Sequence, residues 1–487
     1  MRKNAGPARG ADKARGVNGT RGVNGTRGVN GTRGVGRTRG VDPVRRAALE
    51  LLLRVEGGGY SNLLLDAFLA DAGFSGQDAA FLTALFYGVL ERGLCLDYFI
   101  SQFGRCSAAG LEPKVRAALR LGAYQLLFMD RVPAPAAVDE SVRLARACGA
   151  PYAAGFVNAV LRRIAENREN PPYPDRERDR RRFLRVRYSC PAWLLARWEA
   201  DYGLAQTQRI LEGFERRPGT TLRVNTLKTT AQELALRLER EGVTVRPGLL
   251  PNALEAPRLP GLRALPSFRE GLFSVQGTGS QLCCAAAQAQ PGGTVLDLCA
   301  APGGKSFTLA MEMQNRGRIA AFDLYESRAG LIRAGAKRLG LSIVEAAQGD
   351  AARHNGELGE FGTVLCDVPC SGLGVIGRKP EIRLKQPEDF AALPETQMAI
   401  LCEGALHVRP GGRLVYSTCT LAQAENEAVA RRFLTEHPQF SPELPAALRP
   451  FAQEDEAGAL GAAGVTLFPE AARGDGFYVC AMRRADA

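Results

Sequence analysis

Between residues 291 and 487, apolar residues come in short runs separated by longer stretches with helical spacing. Runs at 294–298, 318–323, 343–347, 363–367 and 412–417 predict strands, and 305–313, 327–339 and 387–407 predict helices between them. That alternation predicts a doubly wound α/β fold with a parallel sheet, to which a last strand at 476–482 adds an antiparallel edge. Upstream the pattern is purely helical. Asp42 is placed to cap a helix that has Pro43 at its first position and Leu49, Leu52, Leu53 and Val55 along one face. Helical periods recur at 78–98, 113–129, 137–147 and 153–166, with short connections, so residues 41–165 predict a compact all-α bundle. Residues 166–290 mix a helix at 191–202, which carries Trp193 and Trp198, with strand-like alternation at 221–227, 243–245 and 271–275. We read them as a linker followed by a small α+β module. Residues 1–40 have too little apolar surface to offset chain entropy and are expected to be a disordered tail.

Charge changes this picture only locally. The chain carries a net charge of +12, but ten of its 63 Lys/Arg and one of its 51 Asp/Glu lie in residues 1–40. The remaining 447 residues are almost neutral, so an RNA surface there must be a patch. The tail holds three copies of Arg-Gly-Val-Asn-Gly-Thr, starting at Arg15, Arg21 and Arg27, and is either an RNA tether or a repeat expansion without a role. Seven arginines between 175 and 187 make either a solvated linker or helix face, or an RNA-facing patch. Twelve cysteines show no framework spacing and no Cys-x-x-Cys, and there are three histidines, so neither disulfides nor a metal site is expected. No signal-peptide core or long uninterrupted apolar run is present, and the reading is a protein of the reducing cytoplasm with no membrane partner.

The stretch Val295–Ser306 joins the first predicted strand to the first helix through Cys299, Ala300, Ala301, Pro302, Gly303, Gly304 and Lys305. A phosphate-binding loop would need Gly where Cys299 stands, and a dinucleotide fingerprint would need more than the adjacent pair Gly303-Gly304. The turn therefore suits a nucleoside without a pyrophosphate, and S-adenosylmethionine is the leading candidate. Asp323 closes the second strand 20 residues after Gly303, where an acid binds ribose hydroxyls in such folds. Asp350 follows the third strand and Asp367 ends the fourth, so all three acids fall at the carboxyl edge where ligands bind.

Two thiols fall on that same edge. Cys370 follows Asp367-Val-Pro after the fourth strand, and Cys419 follows Tyr416-Ser-Thr after the fifth. Methylation of cytosine at C5 needs a thiolate at C6, a proton or hydrogen bond at N3, and a base for the C5 proton; two thiols and a carboxyl meet those demands. A thiol with a pKa of ~8.5 is roughly 3% ionised at pH 7. Lowering its pKa therefore gains at most ~30-fold, about 2 kcal/mol, and most of the acceleration must come from positioning and from charge stabilisation at N3.

Taken together, Cys299–Lys305, Asp367-Val-Pro-Cys370-Ser371 and Thr418-Cys419 resemble the Fmu/Sun (NOL/NOP/Sun) family of RNA cytosine-C5 methyltransferases. Residues 85–92 and 120–126 carry a likeness of the helical segment to the NusB-like RNA-binding domain of the bacterial branch, whose substrate is 16S ribosomal RNA. The resemblance implies a Rossmann-like S-adenosylmethionine-dependent methyltransferase domain over 291–487, a NusB-like domain over 41–165 and an RNA-binding α+β module within 166–290. It implies that Cys299–Lys305, Asp323, Asp350 and Asp367 bind the cofactor, that Cys419 is the nucleophile, and that Cys370 assists release. It points to small-subunit ribosomal RNA, naked or in early assembly, as the partner of a monomer, and not to DNA. The same chemistry on transfer RNA, or a non-catalytic assembly factor, are the alternatives. Val368 stands where the family usually has Ala, and Gly277 where it commonly has an acid.

Overall fold

The computed structural model describes residues 40–452 and 464–486, apart from residues 60, 72, 75, 217, 218, 260 and 473. The sequence expectations for the N-terminal repeat therefore lie outside the described residues. From Val41 onward the chain forms one compact unit.

Six helices form the first layer: Pro43–Glu56, Ser61–Asp71, Gly76–Gly104, Pro113–Phe128, Ala134–Ala147 and Ala154–Glu166. Asp42 caps the first, its side chain accepting from the Arg45 backbone, with Pro43 at the first position. Gly76–Gly104 is long and apolar enough to cross a membrane by length and composition. Its Leu82, Leu85, Phe86, Leu96 and Phe99 are fully buried in the core of the bundle. Gly88 and Gly122 allow close packing: a Cβ at Gly88 would sit 2.0 Å from the Tyr124 ring.

The charged stretch 175–187 contains a helix, Arg180–Arg187, capped by Asp179. Several of its arginines are already engaged within the protein. Arg181 pairs with Glu199 and Arg187 with Glu215, while Arg182 lies over the Tyr98 ring. The helix expected at 191–202 continues as Ala192–Glu215, broken only at Gly203 (φ +75°).

The small module is a four-stranded antiparallel sheet in the order β2-β3-β1-β4, where β1 is Thr220–Val224, β2 Arg246–Pro247, β3 Ala253–Ala256 and β4 Phe273–Val275. Helix Ala231–Arg240 covers it, and its N-terminus carries a capping box between Thr230 and Glu233. The strand expected at 243–245 is not formed. Gly242 (φ +79°) turns the chain there, and pairing starts only at Arg246. Val243 is buried in the module's core as a loop residue.

The main sheet comprises β5 (Thr294–Asp297), β6 (Arg318–Asp323), β7 (Val344–Gln348), β8 (Phe361–Asp367), β9 (Val408–Thr418), β10 (Phe440–Glu443), β11 (Val465–Leu467) and β12 (Phe477–Arg484). Its order is β10-β12-β9-β8-β5-β6-β7, with β11 also on β12. Strands β5 to β9 are parallel, and β12 runs antiparallel to β9. The last strand was expected at an edge; it is interior, because β10 and β11 pair with its outer side. Helices Gly304–Glu312, Glu326–Leu339, Leu393–Leu406 and Glu427–Glu436 join the strands, and Thr278–Ala287 packs beside the first. The third helix was expected from residue 387, but a short 3-10 turn, Pro387–Phe390, precedes it and the α-helix begins at Leu393. The small sheet is held to this domain by Arg223–Glu312 (3.0 Å) and by Asn225, whose amide donates to Gly271 and Leu339 carbonyls.

Candidate active site

The five parallel strands end on one edge, and every predicted site residue sits there. The turn after β5 is tied to β6 by the Ala300 N–H donating to the Phe322 carbonyl (2.8 Å). Gly303 has φ +106°, a region side chains avoid, and a Cβ there would lie 2.2 Å from the Phe307 ring. Gly304 opens the helix, and a Cβ on it would meet only Gln276, at 3.9 Å. The start of this helix thus faces open space. Gln276 secures the turn from behind: its amide donates to the Gly304 carbonyl (3.1 Å) and accepts from Thr308 (2.7 Å). Sequence reasoning missed Gln276.

It also missed Asp297. This carboxyl is fully buried under the turn and accepts from Ser306 Oγ (2.6 Å), while its other oxygen has no hydrogen-bond partner among the described residues. Burial pushes it up to about 7, against the Ser306 bond and with help from the nearby Asp367 charge. An acid inside an apolar strand, two residues before Cys299, was the available signal.

The three expected acids differ in surroundings. Asp323 is buried at the end of β6, paired with Arg328 (3.2 Å) and accepting from the Tyr325 backbone (3.3 Å). Asp350 follows β7, accepts from the Ala352 backbone (3.1 Å) and pairs with Arg353 (3.2 Å). Asp367 ends β8, where one oxygen takes Lys305 Nζ at 2.6 Å and the other takes Ser417 Oγ at 2.8 Å. Lys305 is buried, donates also to Ser280 Oγ (3.3 Å) and lies over the Phe477 ring. Burial disfavours its ammonium, but Asp367 more than offsets this and holds it above its ordinary value.

These groups fit S-adenosylmethionine better than a phosphorylated nucleotide. Carboxylates at the ends of β6 and β7 can accept from ribose hydroxyls and an amine. The one lysine of the turn is already tied to Asp367, and Gly304 leaves room for a ligand against the turn.

Cys370 and Cys419 come from the loops after β8 and β9, and their sulfurs are 3.3 Å apart. The loops are stitched by Val368 N–H to the Ser417 carbonyl (3.1 Å), Gly374 N–H to the Cys419 carbonyl (3.0 Å) and Ser371 to Thr420 (2.7 Å between hydroxyls). Behind them, buried Glu425 accepts from the Ser371 N–H and from Gln397, which also donates to the Pro369 carbonyl (3.0 Å). The Thr418 hydroxyl donates to Asn426, whose amide returns to the Thr420 carbonyl.

This frame makes the two thiols unequal. The S–H of Cys370 donates to Cys419 and lowers its pKa; Lys379 and Lys305 add to the effect, while burial and Asp367 oppose it. The same bond, with burial, pushes Cys370 well up. Of the two, Cys419 is therefore the thiol that ionises more readily and Cys370 the one that holds its proton more tightly. Burial raises Cys283, Cys299 and Cys366.

A cavity of about 810 Å³ opens over both thiols. One wall is the catalytic segment with Lys379, Lys385 and Phe390; the other is the helical bundle, with Glu56, Arg116 and Arg120. Ser61 of the bundle donates to Glu381 of the catalytic segment (2.8 Å). Elsewhere in the fold two of the three histidines come together: His354 and His407 meet at Glu403.

Comparison with known proteins adds the following likenesses. The family model described as 16S rRNA methyltransferase RsmB/F matches residues 285–483, the NusB family matches 42–166, and the ferredoxin-like domain of RsmF/B-like methyltransferases matches 190–256. The probable ribosomal RNA small subunit methyltransferase B of Bacillus subtilis (strain 168) is 38% identical over 454 residues, 91% of this chain and 98% of that protein. The ribosomal RNA small subunit methyltransferase B of Klebsiella pneumoniae is 33% identical over 409 residues, 83% of this chain and 90% of that protein. The crystal structure of PH0851 superposes with a TM-score of 0.74 at 27% identity, covering 92% of this chain and all of that one. NSun6 from Pyrococcus horikoshii, solved with SFG, shares the fold of 61% of the chain with a TM-score of 0.54 and 21% identity.

Proposed function

The chain belongs to the RsmB/F family of 16S rRNA methyltransferases, with a NusB domain, a ferredoxin-like module and a Rossmann-like methyltransferase domain, and on that premise we propose that it methylates C5 of a cytosine in 16S ribosomal RNA through a covalent Cys419 adduct. S-adenosylmethionine, when bound, supplies the methyl group; Cys299–Lys305, Asp323, Asp350 and Asp367 are the residues we assign to holding it. The thiolate of Cys419 adds to C6 of the ring. Asp367, steadied by Lys305 and Ser417, holds a proton or hydrogen bond at N3, where charge accumulates as the adduct forms. After C5 is methylated, the C5 proton passes to a water molecule, the C6–S electron pair returns to the Cys419 sulfur, and the Cys370 S–H assists that departure by donating to the leaving thiolate.

The observation that carries this reading is the thiol pair, 3.3 Å apart, on the same sheet edge as Asp367. An ordinary methyltransferase has no use for such a pair. The cavity above it supports RNA as the substrate. It has room for more than one nucleotide; Lys379 and Lys385 line it on the catalytic side, while Arg116 and Arg120 of the bundle are paired with Glu56 and Asp97. A base held so deeply between two walls is delivered best on an unpaired strand, which favours naked or early-assembly RNA. Every named group comes from one chain, so a monomer suffices. Cys419→Ala tests the assignment: bisulfite mapping should show one cytosine of 16S RNA methylated by the wild type and none by the variant, with S-adenosylmethionine affinity unchanged. A variant that still methylates that cytosine overturns it.

A further inference from the structure

His354 Nδ1 and His407 Nε2 lie 3.0 and 3.1 Å from the same oxygen, Glu403 Oε1. One ligand atom from each of the three residues falls within 4.8 Å of the others, and the two imidazoles stack with centroids 6.0 Å apart. Glu403 and His407 lie one turn apart at the C-terminal end of helix Leu393–Leu406 and are buried; His354 comes from the segment after β7 and is exposed.

The protons decide what this cluster can be. His407 Nδ1 is 2.9 Å from the Gly359 carbonyl oxygen, which only accepts, so the ring proton is on Nδ1. The Nε2 of a neutral ring then turns a lone pair toward the carboxylate at 3.1 Å, in a buried setting. Two acceptors do not face each other at that distance, so either a proton or a metal ion lies between them. His354 brings a second imidazole nitrogen to the same oxygen, which also accepts from the Asn355 backbone N–H (3.3 Å). Two imidazoles and a carboxylate make the donor set of open zinc sites, with bonds of about 2.0–2.2 Å and ligand atoms roughly 3.3 Å apart. A ligating histidine whose other N–H donates to a backbone carbonyl, as His407 does, is held in the orientation such sites require. The cluster opens on a cavity of about 250 Å³ that Asp350, Leu298 and Phe322 also line, leaving space for a water ligand.

We propose that His354, Glu403 and His407 bind a divalent transition-metal ion of the zinc class. The site does not depend on the methyl-transfer reading. The ion would tie the segment carrying Asp350 to the helix whose Gln397 holds the Cys370 loop, and so brace two parts of the catalytic edge from behind.

The test uses the full-length protein, stripped with chelator and titrated with Co²⁺ and then Zn²⁺. The proposal expects one equivalent bound, a visible Co²⁺ spectrum without a sulfur-to-metal charge-transfer band, and a rise in Tm with Zn²⁺. His354→Ala, at an exposed position that should not disturb folding, should weaken binding at least ~10-fold. Glu403→Gln should do the same. Folded wild-type protein that retains no metal overturns the proposal and leaves a proton between His407 and Glu403. A charge-transfer band, or full retention in His354→Ala, also overturns it by assigning the metal to cysteines.

Discussion

Asp367→Asn separates the two ways in which this carboxylate acts on the reaction. Its charge opposes ionisation of Cys419, whereas its hydrogen-bonding position at N3 is assigned to promote addition. Losing the charge should therefore lower the Cys419 pKa further and raise the thiolate fraction. That gain has a ceiling of ~30-fold, about 2 kcal/mol, because an ordinary thiol is already a few per cent ionised at pH 7. Losing an acid from the site of developing charge should cost roughly 10²–10³-fold in rate, about 2.7–4 kcal/mol. The second effect wins. The amide oxygen of Asn can still accept from Lys305, now 2.6 Å from Oδ2, so the stability cost should be only about 1–2 kcal/mol, below that of a broken buried pair. The assay measures two quantities on one protein: iodoacetamide alkylation of Cys419 against pH, and single-turnover methyl transfer to 16S RNA. Alkylation at pH 7 should rise while methyl transfer falls by at least ~3-fold and at most ~10³-fold. A variant whose methyl transfer rises with its alkylation rate would show that thiolate formation limits the reaction, refuting the role at N3.

Cys370→Ala removes the group assigned to release while leaving Cys419 in place, so a covalent RNA–protein complex should accumulate on denaturing gels in the presence of S-adenosylmethionine. Normal turnover without a shifted band would remove Cys370 from the release step. Asp297 titrates near 7 in the fold and near ~3.9 in the unfolded chain, so the native state holds its proton more tightly. The stability this contributes is complete below about pH 4, is lost at about 1.4 kcal/mol per unit as pH rises to about 7, and is then flat. Asn at this position does not titrate. In urea unfolding, Asp297→Asn should gain on the wild type by at most about 4 kcal/mol between pH 4 and 7. A difference that does not vary with pH would contradict the assignment.

The parallel strands were legible because each pairs an apolar run with a polar residue at its end. Residues 318–323, for example, emerge as β6 with Asp323 where a ligand-binding acid was expected. The turn after β5 was legible for the same kind of reason, since Gly303 is forced by its φ of +106° and by the Phe307 ring. Features set by distant partners were not. Lys305 meets Asp367 across 62 residues of chain, and Gln397 and Glu425 hold the thiol loop through contacts that no local pattern announces. Helix Thr278–Ala287 was hidden by its small residues and cysteines, which show no apolar period. The alternation at 243–245 misled, because Val243 owes its burial to a turn. The dense charge of 175–187 did not separate a linker from a helix face, and in the helix that forms Arg181, Arg187 and Arg182 are spent on Glu199, Glu215 and Tyr98.

The central claim, that Cys419 bonds to the target cytosine, is tested most directly with 16S RNA carrying 5-fluorocytosine. Fluorine at C5 cannot leave as a proton, so the adduct should persist with the methyl group attached. Mass spectrometry of the digested complex should find the methylated fluorocytosine on the peptide containing Cys419. Its presence on Cys370, or methyl transfer to another atom with no adduct at all, would contradict the account.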